Sequence, residues 1–158
     1  MSKLSRLKPD PIPTIHPVPE YAADAGLTAV YERTQSGFKV PWMGVVAMAF
    51  AHYREFYKCL WQAMEPVVMT QAFADACQKL RFAAEKEAAS LSPVAICSKL
   101  TKLGYDDREI EEIKNCNEVF SSGNMPYVLM ATLARLLLEG HSWDGKGFAQ
   151  THDANSIT

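Results

Sequence analysis

The strongest constraint on the fold is a run of apolar and aromatic residues over residues 42–64 that recurs at steps of three and four. The recurring positions are Trp42, Val45, Val46, Ala49, Phe50, Tyr53, Phe56, Tyr57, Leu60 and Trp61. This spacing lines up one face of an α-helix, whereas a strand would alternate apolar and polar residues. We therefore predict one long helix over 42–64, with Pro41 in its first turn and a kink or end at Pro66.

The rest of the region between residues 20 and 140 is also patterned as helix. The predicted helices span 20–35 (closed by Gly37), 71–89 (capped by Thr70), 92–103 (ended by Gly104), 106–120 (with an Asp106–Glu109 capping box) and 127–138 (ended by Gly140). No alternating strand pattern and no Asn-Gly or Asp-Gly hairpin signal interrupts them. The sequence predicts an all-α fold.

Two segments of different composition flank this helical region. Residues 1–19 contain five prolines, which is typical of an extended arm because proline lacks the amide N–H that a helix needs. Residues 141–158 are polar and contain glycine, which indicates a loose C-terminal tail. We expect one domain over residues 20–140, since 158 residues suffice for a single core.

Charge and hydropathy exclude two classes of partner. The formal net charge is −2 and the basic residues are not clustered, so no nucleic-acid partner is expected. No segment approaches the roughly 20 apolar residues of a transmembrane helix, so no membrane partner is expected. Lys3, Arg6 and Lys8 precede no apolar segment of the kind found in secretory signals.

The four cysteines lie about 20 residues apart, with no C-x-x-C pair, at Cys59, Cys77, Cys97 and Cys116. Zinc sites and dithiol redox sites need paired cysteines, so we expect neither a metal nor a cofactor. Spacing of this kind on helices predicts buried free thiols, which also favours a reducing, cytoplasmic location.

Asn124 lies at a polar break, Ser121-Ser122-Gly123-Asn124-Met125-Pro126-Tyr127, between two apolar helical segments. Its side-chain oxygen would cap the second helix if it accepted a free backbone N–H. The same amide would instead present a donor and an acceptor to a cavity if it pointed inward. Likewise, the aromatic residues of 42–64 either pack in the core and a dimer interface or line an apolar pocket. The residues alone leave both pairs of alternatives open.

Three stretches, taken in order, resemble one known family. They are Phe38-Lys39-Val40-Pro41-Trp42-Met43-Gly44, the helix stop and restart Gly104-Tyr105-Asp106-Asp107-Arg108-Glu109, and Gly123-Asn124-Met125-Pro126-Tyr127. Their order and spacing, across roughly residues 21–140, resemble one repeat of the group I α-haloacid dehalogenases of the DehI type.

The resemblance implies an all-helical bundle in which two related repeats pack around a central pocket. This sequence holds one such repeat, so a homodimer with twofold symmetry is expected to rebuild the pair. The architecture is also similar to that of the alkylhydroperoxidase D group, but the C-x-x-C on which peroxide chemistry depends there is absent.

The resemblance also implies a reaction, in which water displaces halide from the α-carbon of a short 2-halocarboxylic acid without an ester intermediate. A carboxylate takes the proton of that water and a neutral amide orients it. Carried over by position, Asn124 is the expected catalytic amide. Trp42, Met43, Val45 and Tyr127 are the expected substrate-binding residues, and no metal is expected.

The catalytic Asp of the family has no counterpart here. The matching stretch, Gly44-Val45-Val46-Ala47-Met48, contains no ionisable residue. The candidate substitutes elsewhere in the sequence are His52, Asp75, Glu85, Asp106, Asp107 and Glu118, and none lies at the expected place. Two hypotheses therefore follow: a homodimeric hydrolase acting on small 2-halo acids, and a non-catalytic helical dimer that binds a small ligand or serves only as structure.

Overall fold

The computed structural model describes residues 13–92, 94–143 and 148–150. A single 3₁₀ turn, Glu20–Ala22, precedes seven α-helices in these residues. The helices are α1 (Ala25–Phe38), α2 (Val45–Phe50), α3 (Arg54–Val68), α4 (Gln71–Ser90), α5 (Ile96–Lys102), α6 (Asp107–Gly123) and α7 (Met125–Leu138). A pair of short strands follows, β1 (His141–Trp143) and β2 (Phe148–Gln150).

One hydrophobic core joins α1, α2, α3, α7 and the start of α4. Trp61, Tyr57, Leu27, Met64 and Met130 are its largest fully buried apolar side chains. Thr34 is the buried polar residue of this core, and its hydroxyl lies 2.7 Å from the Tyr57 hydroxyl and donates to the Val30 carbonyl. The all-α prediction is confirmed for this core, since every element that contributes to it is a helix.

The predicted single helix over 42–64 is wrong in one respect, because it is broken into α2 and α3. Tyr53 has non-helical backbone angles, and the amides of His52 and Tyr53 bond three residues back, to Ala49 and Phe50. The apolar spacing continues across the break because both helices pack against the same core. Pro41 lies outside the helix, since α2 begins at Val45 with Gly44 as its N-cap.

Gly37 does not close the first helix as predicted. It lies inside α1, and a Cβ on it would be 3.0 Å from Val68 and 3.2 Å from the Trp61 ring. A close approach of helices therefore explains this glycine, and the left-handed residue that ends α1 is Lys39, with φ 56°. Pro66 lies inside α3, which continues to Val68, so of the two predicted effects the helix does not end at the proline.

The predicted caps of α4 and α6 are confirmed. The Thr70 hydroxyl accepts the Phe73 amide, and Asp106 and Glu109 form the reciprocal capping box at the start of α6. Gly104, with φ 98°, follows α5 where the sequence predicts a stop. These local signals are reliable because they depend only on residues within one helical turn.

The C-terminal tail contains a strand pair that the sequence pattern did not indicate. Gly140, with φ 85°, redirects the chain after α7, and β1 then pairs antiparallel with β2, His141 opposite Gln150. Residues 144–147 and 151–158 of the predicted tail lie outside the described residues. At the other end, residues 1–12 of the predicted arm lie outside them too, and Val18 bonds through its amide to the Met48 carbonyl.

The end of α4, α5 and most of α6 extend away from this core. No described residue between 82 and 109 is buried, and α5 packs chiefly against α6. We call residues 82–120 the arm, a segment distinct from the predicted Pro-rich arm of residues 1–19. Its exposed large apolar side chains are Phe82, Leu91, Val94, Ile96, Leu103, Tyr105, Ile113, Val119 and Phe120. Exposed apolar side chains grouped along one segment in this way are typical of interaction surfaces and ligand grooves.

The close contact of Gly44 with the Tyr127 ring yields a stability prediction. A Cβ on Gly44 would lie 2.8 Å from the Tyr127 ring, so Gly44→Ala is expected to lower the free energy of unfolding by about 1–3 kcal/mol. Gly26→Ala is the matched control, because its Cβ would meet only Asp24 Oδ1 at 3.6 Å within a helix. It is expected to raise stability by up to about 1 kcal/mol. Urea unfolding of both variants decides, and equal effects would contradict the packing argument.

Candidate functional site

A cleft of about 670 Å³ lies between the end of α1, the loop that follows it, α4, and the junction of α6 with α7. Its apolar wall includes Phe38, Trp42 and Phe73, and its polar wall includes Arg81 and Glu118. A mainly apolar cavity with a few convergent polar groups is the usual form of a small-molecule site.

The loop of residues 39–44 carries Trp42 into this wall and is held from two sides. The Met43 amide donates to Glu20 Oε1 at 2.9 Å, and Gln35 holds the other oxygen of that carboxylate at 2.8 Å. On the other side, the Tyr127 hydroxyl donates to the Trp42 carbonyl at 2.7 Å. The position of Trp42 is therefore fixed by its backbone neighbours, although its own side chain is only half-buried.

The Trp42 ring rests on the end of α6. Its ring centroid is 5.2 Å from that of Phe120, and a Cβ on Gly123 would lie 2.8 Å from its six-membered ring. Gly123 is needed here because a larger residue would displace the indole. On the far side of the loop, the rings of Phe38 and Tyr127 meet edge to face at 5.0 Å.

Of the five predicted site residues, Trp42 lines the cleft. Met43 is buried in the hydrophobic core, and Tyr127 is buried with its hydroxyl engaged by the loop backbone. Val45 is 68% exposed at the start of α2. The structure thus gives Tyr127 a positioning role for Trp42, and it places Met43 and Val45 outside the cleft lining.

Asn124 links α6 to α7 but does not cap α7. Its Nδ2 donates to the Phe120 carbonyl at 2.8 Å, which satisfies the end of α6, and its side chain is exposed. Gly123 and Met125 line the cleft, whereas Asn124 itself does not. Its Oδ1 has no hydrogen-bond partner among the described residues and remains available as an acceptor.

Two charged residues from different helices meet at the cleft. Arg81 of α4 donates through Nη2 to Glu118 of α6 at 2.7 Å and through Nε to Glu85 at 2.8 Å. The Glu118 hydrogen bond is the main reason that the pKa of the Arg81 guanidinium is raised. His52 takes no part, since its Nδ1 accepts the His16 amide at 3.4 Å and it does not line the cleft.

The prediction of buried cysteines is wrong for three of the four. Cys59, Cys97 and Cys116 are exposed, because the outer faces of their helices carry them, and Cys77 is partly buried in the cleft wall. Desolvation raises the pKa of the Cys77 thiol to about 11. Among the described residues, no cluster of His, Cys, Asp or Glu is suited to a metal ion.

Sequence analysis missed Glu20, Cys77 and Arg81 as parts of this site. Glu20 carried only the signal of an acid near a helix start, and Arg81 only the four-residue spacing to Glu85 that is typical of surface ion pairs. Glu118 was weighed as a substitute acid and does line the cleft. Nothing local to these residues indicates their convergence.

Comparison with known proteins identifies relatives of the whole helical region. The chain is 46% identical over 149 residues to an (R)-2-haloacid dehalogenase of Rhizobium sp. (strain NHG3), covering 92% of this chain and 57% of that protein. An (R)-2-haloacid dehalogenase of Pseudomonas putida is 34% identical over 141 residues, or 87% of this chain and 47% of that protein.

Solved structures agree. A complex of D-2-haloacid dehalogenase with L-LA matches with a TM-score of 0.73 and 35% identity, covering 80% of this chain and 44% of that chain. A mutant of D-2-haloacid dehalogenase with D-2-CPA matches with the same score and coverage. The chain belongs to the group I α-haloacid dehalogenase family. No family profile matches it.

This dehalogenase-family chain spans about half the length of the curated relatives it matches. The resemblance stated from the sequence is confirmed, and the fold is of the same all-α type. The homodimer, the likeness to the alkylhydroperoxidase D group and the cytoplasmic location stay predictions. Within the described residues, no helix is long and apolar enough to cross a membrane.

The cleft thiol gives a labelling prediction. At pH 8 a thiol with a pKa of about 11 is about one-thousandth ionised, so Cys77 should react with a thiol reagent far more slowly than exposed Cys59. Peptide mapping after timed alkylation of the protein measures the labelling of Cys59 and Cys77 in one sample. Because burial raises the pKa, Cys77 labelling should still increase between pH 8 and pH 10. Equal rates at pH 8 would contradict the burial of Cys77.

Proposed function

We propose that the chain binds a short 2-halocarboxylic acid in the cleft and that a pair of copies hydrolyses its carbon–halogen bond. The support is the cleft itself, with Trp42 and Phe38 as apolar walls and Arg81 as a cation, in a chain 46% identical to an (R)-2-haloacid dehalogenase. Apolar walls suit the halogen and alkyl group, and a cation suits the carboxylate.

The proposed reaction exchanges one bond for another at the α-carbon. Water oxygen attacks that carbon, the carbon–halogen bond breaks with its electron pair, and the products are a 2-hydroxy acid, a halide ion and a proton. A carboxylate near the water takes the proton. Desolvation by Trp42 and the rings around it makes the attacking water more reactive than bulk water.

A second copy completes the proposed site. Phe120 and Asn124 are one helical turn apart on α6, and Phe120 is 51% exposed although it packs on Trp42. A partner that covered Phe120 would also cover Asn124 and place its free Oδ1 beside enclosed water. Asn124 is therefore proposed as the water-orienting amide, with Trp42 as the substrate-binding wall.

The arm is the proposed dimer surface. The chain spans about half the length of the curated relatives it matches, and we propose that a second copy of it covers the arm. The arm exposes nine large apolar side chains in the described structure. A stable interface needs about 800 Å² from each partner and roughly 20–30 residues, which a segment of this length supplies.

A non-catalytic ligand-binding dimer is the second candidate. It is favoured by the absence of an ionisable residue from Gly44 to Met48, the stretch in which the resemblance leads us to expect a catalytic Asp. Glu118 is the carboxylate in the described cleft lining, and it is engaged by Arg81. An oxygen of that carboxylate accepts the Arg81 hydrogen bond, so proton transfer from water to this oxygen requires that the contact open.

Halide release tests the proposed function directly. Purified protein incubated with each enantiomer of 2-chloropropionate should release chloride, and Asn124→Ala should reduce the rate by about 10²-fold, because water loses its orienting acceptor. Asn117→Ala is the matched control, since Asn117 is also an exposed asparagine of α6 and lies outside the cleft lining. It should retain the full rate.

The outcomes separate the two candidates. Binding of the acid without chloride release from either enantiomer would overturn the hydrolase and leave the binding dimer. An equal loss of rate in Asn124→Ala and Asn117→Ala would show that the loss comes from helix stability rather than from catalysis. Thermal unfolding of all three proteins reports that stability independently.

Self-association tests the dimer surface. Sedimentation equilibrium should give twice the monomer mass of 17.6 kDa, and Leu103→Glu should weaken dimerisation at least 10-fold by burying a charge in the interface. Leu138→Glu is a matched control, because Leu138 is 73% exposed and Leu103 76%, but Leu138 lies at the end of α7. A monomeric wild type, or equal effects of the two variants, would contradict the proposed surface.

A further inference from the structure

Arg81 is a cationic residue whose side chain is partly buried in the cleft wall. Its side chain is 21% exposed, whereas its partners Glu85 and Glu118 are 51% and 57% exposed. The other cation of the described cleft lining, Lys39, is an exposed residue at the end of α1. A ligand carboxylate that enters the cleft therefore meets Arg81 as the better-shielded positive charge.

The guanidinium has donors to spare. Arginine carries five N–H groups, and the described contacts use one on Nε and one on Nη2. Both hydrogens on Nη1 and one on Nη2 are uncommitted in the described structure. Two adjacent N–H groups on Nη1 and Nη2 match the two oxygens of a carboxylate, which is the geometry of the strongest carboxylate contacts.

The surface of α4 beside Arg81 is apolar. Phe73, Cys77 and Arg81 follow one another at four-residue steps, and all three line the cleft. One turn of helix rises about 5–6 Å, so the Cys77 thiol and the Arg81 stem are about one short organic acid apart. The raised pKa of Cys77 shows that its surroundings are dehydrated, as an alkyl or halogen group requires.

We propose that Arg81 is the carboxylate-binding residue of the cleft and that Glu118 is an internal competitor for it. This inference rests on the proposed function for the identity of the ligand. Glu118 occupies Arg81 in the ligand-free protein through one hydrogen bond from Nη2. When a short organic acid enters with its apolar end toward Cys77 and Phe73, its carboxylate takes Arg81 and Glu118 turns outward to water.

The exposure of Glu118 makes this exchange inexpensive. A carboxylate that is 57% exposed keeps most of its hydration, so the loss of an exposed ion pair costs little. Glu85 remains on Nε throughout, which keeps the guanidinium plane oriented along α4. Removal of Glu118 should therefore favour the ligand, whereas removal of Arg81 should abolish its anchor.

Opposite effects of two substitutions test the proposal. Binding of racemic 2-chloropropionate is measured by isothermal titration with wild type, Arg81→Met and Glu118→Gln. Arg81→Met should weaken binding at least 20-fold, and Glu118→Gln should tighten it about 3- to 10-fold. Arg81→Lys should give an intermediate loss, because an ammonium keeps the charge without the two-point geometry.

Arg135→Met and Glu139→Gln are matched controls. Arg135 of α7 forms an ion pair with Glu139, the residue that follows this helix, at the four-residue spacing that Arg81 has to Glu85. Both residues lie outside the cleft lining, so neither change should alter binding. Circular dichroism and thermal unfolding of each variant confirm that the fold is intact. If both cleft substitutions weakened binding, the ion pair would be a structural link between α4 and α6, and the proposal would be overturned.

Failure of this inference differs from failure of the proposed function. Chloride release by Arg81→Met with an unchanged KM would overturn the role of Arg81 and leave the hydrolase standing. Binding without chloride release, lost in Arg81→Met, would support Arg81 and overturn the hydrolase. No binding of the acid to wild type would overturn both.

Discussion

The hydrogen bond from the Tyr127 hydroxyl to the Trp42 carbonyl holds together the part of the structure that matters for function. It joins residues 85 positions apart and ties the loop of residues 39–44 to α7. The Tyr127 ring also faces Gly44, which has no room for a side chain, and meets Phe38 edge to face. Without this contact, the loop that carries Trp42 would keep the Glu20 hydrogen bond and the burial of Met43 in the core, but it would lose its hydrogen bond to α7.

The cleft therefore has two unlike sides. The side formed by the loop and α1 is packed against the core, and the side formed by the arm is exposed. The loop, α1, α3 and α7 are packed together, whereas the arm contributes a single buried residue, Ile110, to the described structure. The cleft lies at the boundary, with Trp42 from the packed side and Glu118 from the arm. The ion pair between Arg81 and Glu118 crosses that boundary, so any partner that moves the arm also changes the polar wall of the cleft.

The helix caps were predictable because their determining residues are neighbours along the chain, whereas the role of Gly37 was not, because contacts with Trp61 and Val68 of α3 determine it. The capping box of Asp106 and Glu109 and the Thr70 cap are read within one turn, and the apolar spacing identifies helices for the same reason. The break between α2 and α3 was not predictable, because residues on both sides of it face one core and keep the spacing intact. The strand pair after Gly140 was missed for a different reason, since three-residue strands are too short to show alternation.

The residues of the candidate site also differ in whether neighbours along the chain determine their position. Trp42 was predictable because its motif is contiguous, whereas the meeting of Arg81 with Glu118 depends on a 37-residue separation that no local pattern encodes. Glu118 lines the cleft and Asn124 does not, because residues six positions apart along a helix lie on different faces of it.

Family membership gives this chain the all-α fold. The stretch in which the resemblance leads us to expect a catalytic Asp, Gly44-Val45-Val46-Ala47-Met48, contains no ionisable residue. The fold can be retained where the chemistry is not, because an apolar residue can replace an aspartate without loss of the fold, whereas it cannot accept a proton. An aspartate at the start of α2 would cost the fold little, since Val45 there is 68% exposed. Packing thus does not explain its absence, and the exposed Val45 marks the position at which the hydrolase and the silent binder differ chemically.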